Sequence, residues 1–185
     1  MNRRAHPHGF TLIELLVAVS LFALLLALAV SQYTNFIANA QVRNAAEAML
    51  NGVLSAQTAA INANTQTQLV VAPTGWQIQF VNPDTSIPAE TPQPPAPYVT
   101  TDGAPQANVT PKPAGATEIT FDAFGRIVAN SDASQTVSCI VVTGSNASSR
   151  PLWVVVSNAN QATGTKLCDP AAAATEPQAC PANQC

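Results

Sequence analysis

The apolar positions of this chain first run together and later alternate. From Phe10 to Val30 the residues are apolar or small, and the only charge among them is Glu14. Wound as a helix, that segment is roughly 31 Å long, which matches the hydrocarbon core of a bilayer. A helical pattern continues beyond it. Phe36, Ala40, Met49, Val53, Ala56 and Ala60 recur at spacings that place them on one face, with polar residues between them. This predicts an amphipathic continuation over 31–64, ending near Asn64, with its apolar face against a sheet. Gly52 lies inside it and costs up to ~1 kcal/mol relative to alanine, so close packing or a slight bend is expected there. No proline occurs between His8 and Pro73, and the helix should be unbroken.

From Thr67 the period changes to two. The segments "QLVV", "GWQIQFV", "TEITFD", "RIVAN", "TVSCIVVTG", "PLWVVVSN" and "TKLC" are short, rich in β-branched and aromatic residues, and bounded by turn formers. "APTG" reads as a hairpin turn. "FDAFGRIV" reads as another, with Gly125 free to adopt positive φ. Between them, Pro83 to Gly115 is dense in proline and poor in large apolar residues, and is expected to be a long surface loop. Its use as a proline-rich ligand for another protein is the weaker reading. The layout is therefore a helix followed by a β-rich domain over 65–185, an α+β arrangement.

Composition narrows the function. Charged residues are 9% of the 185, and the net charge is −3. Arg3 and Arg4 supply two of the seven basic residues, so the rest of the chain is more acidic still. A general grip on nucleic acid, which needs clustered Lys and Arg, is disfavoured. Cys139, Cys168, Cys180 and Cys185 form no CxxC pair and lie far from His6 and His8. This speaks for disulfides in an oxidising compartment rather than a metal site. Four cysteines allow three connectivities. The favoured one is Cys168–Cys180, anchoring the tail after the last strand, with Cys139–Cys185; the two rival pairings stay open.

The basic leader keeps the N-terminus cytoplasmic and sends the bulk of the chain outward. A cleaved secretory signal has a shorter apolar core followed by a small-residue site. A plain signal anchor gives Glu14 no use. A carboxylate at that depth costs about 2–3 kcal/mol on insertion scales, and intramembrane acids usually have partners.

"GFTLIELLVAVSLFALLLALAV" resembles the N-terminus of type IV prepilins and type II secretion pseudopilins. The resemblance implies that residues 1–9 are a leader removed by a prepilin peptidase, which cuts after Gly9 and N-methylates Phe10. It implies that Glu14 pairs with the Phe10 amine of a neighbouring subunit in a filament, where a low dielectric strengthens the attraction and an unpaired charge is costly. Many relatives carry a proline at the position of Ser31, and this chain does not. "ITFDAFGRI", "LWVVVSN" and "LCDPAAAATEPQAC" are similar to the GspH/FimT branch, minor pilins or pseudopilins whose long helix packs on a β-sandwich-like head. The implied partners are other pilins or pseudopilins, the processing enzyme and the inner-membrane assembly machinery. The implied location is the inner membrane with a periplasmic head, and then a pilus or pseudopilus.

The chain offers no catalytic constellation and no call for a cofactor. His6 and His8 would leave with the leader, while Asp122 and Asp132 flank a predicted hairpin as polar turn residues. Some FimT-type proteins bind DNA through a basic motif near the C-terminal strand. Here "NANQATGTKLC" carries only Lys166, too little for strong phosphate contact. The expectation is a structural role as a minor pilin that initiates or caps a type IV pilus, with a type II secretion pseudopilin as the close variant.

Overall fold

The computed structural model of the chain describes residues 10–73, 75–81, 98–99, 104, 107–146, 148–156, 164–181 and 185. The expected leader 1–9, with His6 and His8, lies outside them. Helix α1 runs from Leu12 to Ala63 without interruption. It stops on Asn64, which takes the left-handed conformation (φ 49°). The Asn64 N–H donates to the Ile61 carbonyl and the Thr65 N–H to the Ala60 carbonyl, both at 3.2 Å. This bond pair satisfies two carbonyls that the helix end would otherwise leave open.

The chain divides after Ile37 into two compact units. In the second, antiparallel strands form two sheets. One has β1 (Thr67–Ala72), β2 (Gly75–Phe80), β3 (Tyr98–Val99), β5 (Glu118–Phe121) and β6 (Ile127–Val128), in the order β3-β2-β1-β5-β6. The other has β4 (Ala107–Lys112), β7 (Cys139–Gly144), β8 (Leu152–Val155) and β9 (Lys166–Cys168), in the order β4-β7-β8-β9. A long apolar helix and antiparallel sheets in a globular head fit a type IV pilin-like α+β fold.

One core joins the pieces of the head. Val42, Ala45, Ala46, Met49, Val53, Ala56 and Ala60 of α1 meet Leu69, Ile78, Ile119 and Phe121 of the first sheet and Val109, Ile140, Val142 and Val154 of the second. The helical stripe is built mostly of small residues, so the sheets approach it closely. The Trp76 indole marks the tightest point. Its Nε1–H donates to the Ala48 carbonyl at 3.1 Å, and a Cβ on Gly52 would lie 2.8 Å from the ring. The Thr67 hydroxyl, also buried, donates to the Ala56 carbonyl at 2.9 Å, which meets the requirement that a buried polar group find a partner.

Polar residues on the other side of the first sheet are tied together. The Gln79 amide donates to Gln68 Oε1 at 2.6 Å, and the Gln68 amide donates to the Glu118 carboxylate. The Thr120 hydroxyl donates to Asn130 Oδ1 at 2.9 Å, while Asn130 Nδ2 donates to Ser134 Oγ at 3.0 Å. Burial, and then the nearby Asp132 charge, raise the pKa of Glu118.

Two expectations need correction. Phe36 and Ala40 do not share the buried face: Phe36 is 71% exposed and Ala40 is also exposed. The contact face starts instead at Ala38 and Val42, both buried, which hold a different phase of the 3.6-residue repeat. The span 83–115 is not one loop either. It contains β3 and β4, and β4 pairs with β7 over six residues from Ala107↔Gly144 to Lys112↔Cys139. Pro111 fits there because β4 is an edge strand with one side free of the ladder. The remainder of that span, apart from Ala104 and residues 113–115, falls outside the described residues.

Both turns take the form the pattern suggests. β1 and β2 close at Ala72↔Gly75, and Gly125 has φ 74°. Two disulfides close the end of the fold. Cys168 is joined to Cys180 with Cα atoms 5.0 Å apart, and Cys139 is joined to Cys185 at 5.5 Å. Lys166 Nζ donates to the Ala179 carbonyl at 3.2 Å, and Arg150 pairs with Asp169 at 3.0 Å.

Gly52→Val should cost about 1–3 kcal/mol through overpacking against Trp76. Gly164→Ala, where nothing lies within 4 Å of the added Cβ, should be near neutral. Thermal melts of the full chain in detergent compare the two. The bridges should also differ in weight. On chain entropy the Cys139–Cys185 loop stabilises by about 4 kcal/mol and the shorter Cys168–Cys180 loop by about 3 kcal/mol at most. Paired Cys→Ser variants should therefore lose more melting temperature at the first bridge. Non-reducing peptide maps after cleavage at Arg150, Lys166 and Glu176, with fragmentation of the C-terminal peptide between Cys180 and Cys185, should link the Cys168 peptide to Cys180 and the Cys139 peptide to Cys185. A peptide linking Cys139 to Cys168 would contradict this pairing.

Candidate functional site

The N-terminal unit has chemistry in its first turn. Phe10 precedes α1 and is 83% exposed. Thr11 caps the helix: its Oγ1 accepts the Glu14 N–H at 3.3 Å, and its carbonyl accepts the Leu15 N–H at 3.2 Å. A side-chain oxygen at this position satisfies a donor that the helix start leaves free. Glu14 stands one turn in, where the positive end of the helix favours a carboxylate.

Phe10, Glu14, Leu15, Ala18, Val19 and Phe22 line an open groove of about 460 Å³. It is apolar except for Glu14. Leu12, Ile13, Leu16, Val17, Leu21, Leu24, Leu25 and Leu26 are exposed as well, so apolar side chains cover the helix on every side. Such a surface requires lipid or protein around it. The window is long and apolar enough to cross a membrane. Taking a carboxylate out of water in that setting is costly unless it is paired, hydrogen-bonded or neutralised.

The other candidates named from the sequence have different settings. Asp122 organises the β5–β6 turn. Its Oδ1 accepts the Phe124 and Arg126 N–H groups, each at 2.9 Å, and its Oδ2 accepts Arg126 Nε at 2.9 Å and Nη2 at 2.7 Å. The Arg126 guanidinium holds the Asp122 pKa below the usual carboxylate range, aided by the two backbone donors and opposed by burial. Asp132 accepts the Ser134 N–H at 2.9 Å, and its bonds with Ser134 lower its pKa. Both aspartates act as turn residues. Lys166 donates into its own tail, as described above. Residues 157–163 of the basic-motif region lie outside the described residues.

Sequence reasoning missed the fork in which Arg126 grips Asp122 and stacks over Phe124, its guanidinium carbon 5.1 Å from the ring centroid. The i,i+4 spacing of Asp122 and Arg126 was the available signal. It also missed the link from α1 to the β7–β8 turn, where Asn39 Oδ1 accepts the Arg150 N–H at 2.9 Å. No local pattern announces a contact across 111 residues.

Comparison with known protein families agrees with this division of the chain. Residues 4–30 match the prokaryotic N-terminal methylation motif. Residues 45–160, more than half of the chain, match the family of the type II transport protein GspH. No curated protein and no solved structure matches the chain. With an exposed apolar helix that begins on this motif and a β-rich head that matches GspH, the chain belongs to the GspH family and is a minor pilin or pseudopilin.

Proposed function

We propose that the chain is made as a precursor, cut between Gly9 and Phe10, and N-methylated at Phe10. The mature protein then joins a pilus-type filament through α1. Before assembly the apolar segment spans the inner membrane, with the head on the periplasmic side. Its role is structural, that of a minor pilin that initiates or caps a type IV pilus. The observation that carries this reading is Glu14, a lone carboxylate in the first turn of a helix whose other exposed side chains there are apolar.

Cleavage would place a new amine at Phe10, four residues before Glu14. Both then lie along the groove that Phe10, Glu14, Leu15, Ala18, Val19 and Phe22 line. Packed against a neighbouring helix, Glu14 can meet that neighbour's amine. Charge pairing in a low dielectric rewards one register between subunits and penalises others. Thr11 contributes by capping the helix, which starts at Leu12, two residues beyond Phe10.

A second reading is a subunit of a type II secretion pseudopilus. The description of the matched family, a type II transport protein, favours it. Both readings share the processing and assembly steps. They separate on the neighbouring genes: other minor pilins with a tip adhesin, or a run of secretion components. DNA binding is not part of the proposal, since Lys166 is engaged by Ala179.

Mass spectrometry of the protein from cells with an active prepilin peptidase should give an N-terminus at Phe10 carrying one extra methyl group. A protein still beginning at Met1 would refute the processing step. Glu14→Val and Glu14→Gln should insert and be processed at near wild-type levels, because removing the charge relieves an insertion cost of about 2–3 kcal/mol. Both should be depleted from sheared filament fractions through loss of the pairing. Wild-type recovery of both would refute the proposed role of Glu14.

A further inference from the structure

The two bridges are nested. Cys168–Cys180 lies in sequence inside the Cys139–Cys185 pair, whose members are 46 residues apart. In chain order the neighbours are Cys139 with Cys168 and Cys180 with Cys185, and the fold makes neither of these bonds. A shorter loop costs less entropy to close. A chain that crosses the membrane in sequence order also presents Cys139 and Cys168 together before Cys185 follows. The bond that forms most readily before folding is therefore Cys139–Cys168, which is the wrong one.

The finished sheet excludes that bond. β8 lies between β7 and β9, with Val155 opposite Cys139 and Trp153 opposite Cys168. Val155 and Trp153 are two residues apart, so both cysteines stand on one face of the sheet with a strand between them. Two strand spacings come to about 10 Å, whereas a disulfide needs its Cα atoms within about 7 Å. A chain linked in this way cannot admit β8 to its place. In the closed head Cys139 and Cys168 are 0% and 2% exposed, so exchange must precede closure. The tail then favours the native pair. The Asp169 N–H donates to the Gln178 carbonyl at 2.8 Å and Lys166 Nζ to the Ala179 carbonyl at 3.2 Å, which sets Cys180 beside Cys168.

We propose that the newly exported chain is a substrate of a thiol–disulfide isomerase, which converts a Cys139–Cys168, Cys180–Cys185 form into the nested pairs. This rests on the reading that the head faces the oxidising side of the membrane. The isomerase thiolate attacks the Cys168 sulfur of the first bond, giving a mixed disulfide with Cys168 and freeing Cys139 as a thiolate. Cys139 attacks the Cys185 sulfur of the second bond, and Cys180 leaves as a thiolate. Cys180 then attacks the Cys168 sulfur of the mixed disulfide and expels the isomerase thiolate. Two protein disulfides are present before and after, and neither oxidant nor reductant is consumed.

The test follows the full chain, pulse-labelled in bacteria with and without their periplasmic disulfide isomerase, quenched in acid, alkylated and mapped without reduction. Without the isomerase, a Cys139–Cys168 link should persist and the yield of nested pairs should fall about fivefold or more. Cys168→Ser combined with Cys180→Ser leaves one possible bond, and its Cys139–Cys185 yield should be equal in the two strains. An isomerase lacking its resolving cysteine should be recovered in a mixed disulfide with the wild-type chain at Cys168. Nested pairs at equal yield in both strains would overturn the inference, whatever the trap recovers. So would an absent mixed disulfide, or a double-serine variant as dependent on the isomerase as the wild type. Free thiols at all four positions in both strains would overturn it together with the outward placing of the head, whereas native pairing without the isomerase leaves that placing intact.

Discussion

The head depends on one constraint: a narrow face of α1 must bury itself closely against two sheets at once. Alanine, valine and glycine make up most of that face between Val42 and Ala60, with Met49 as the one long side chain that is fully buried. Small residues let the sheets approach, and approach is what allows Trp76 to lie on Gly52 and bond the Ala48 carbonyl. Thr67, at the start of β1, bonds the Ala56 carbonyl and holds the same spacing two turns later. Gly52 costs helix propensity. The indole packing that it permits offsets that cost, and leucine in its place would force helix and sheet apart.

Much of the head was legible because its local signals agree with its global arrangement. The helix could be read because no proline or turn cluster interrupts it, and β1 and β2 because alternation surrounds a short turn. The reading failed where the phase of the helix was misassigned or the pattern was masked. Phe36 and Ala40 lie on a different phase of the helix from the buried face, which runs through Ala38, Val42, Ala45 and Met49. β4 was hidden by the prolines around it. An edge strand accepts Pro111 because only one of its sides must donate to a neighbour.

The assembly segment and the turn at Phe124 differ in the same respect. Glu14 could be singled out because a charge among apolar residues contradicts its own surroundings, and that contradiction is local. The exposed cluster of Leu54, Ile61 and Phe124 has no such signature. Leu54 and Ile61 look like ordinary members of an amphipathic helix, and Phe124 lies more than sixty residues away in a turn. Only the contact of Gly125 with Gln57 and Ile61 brings them together. The two surfaces also ask for different things. The segment at Glu14 leaves a carboxylate among exposed apolar side chains, whereas the fork at Arg126 has already satisfied its own carboxylate.

The position of Trp76 makes it an optical gauge. Its ring is sheathed by helix and sheet, and its N–H is held by a helix carbonyl. Its emission therefore depends on whether α1 and the first sheet remain docked. Trp153, half-buried on β8 in the other sheet, reports a different environment. With one indole replaced by phenylalanine, the intrinsic fluorescence of the chain follows either sheet alone, and loosening of the helix can be told apart from loosening of the disulfide-bonded end without any added label.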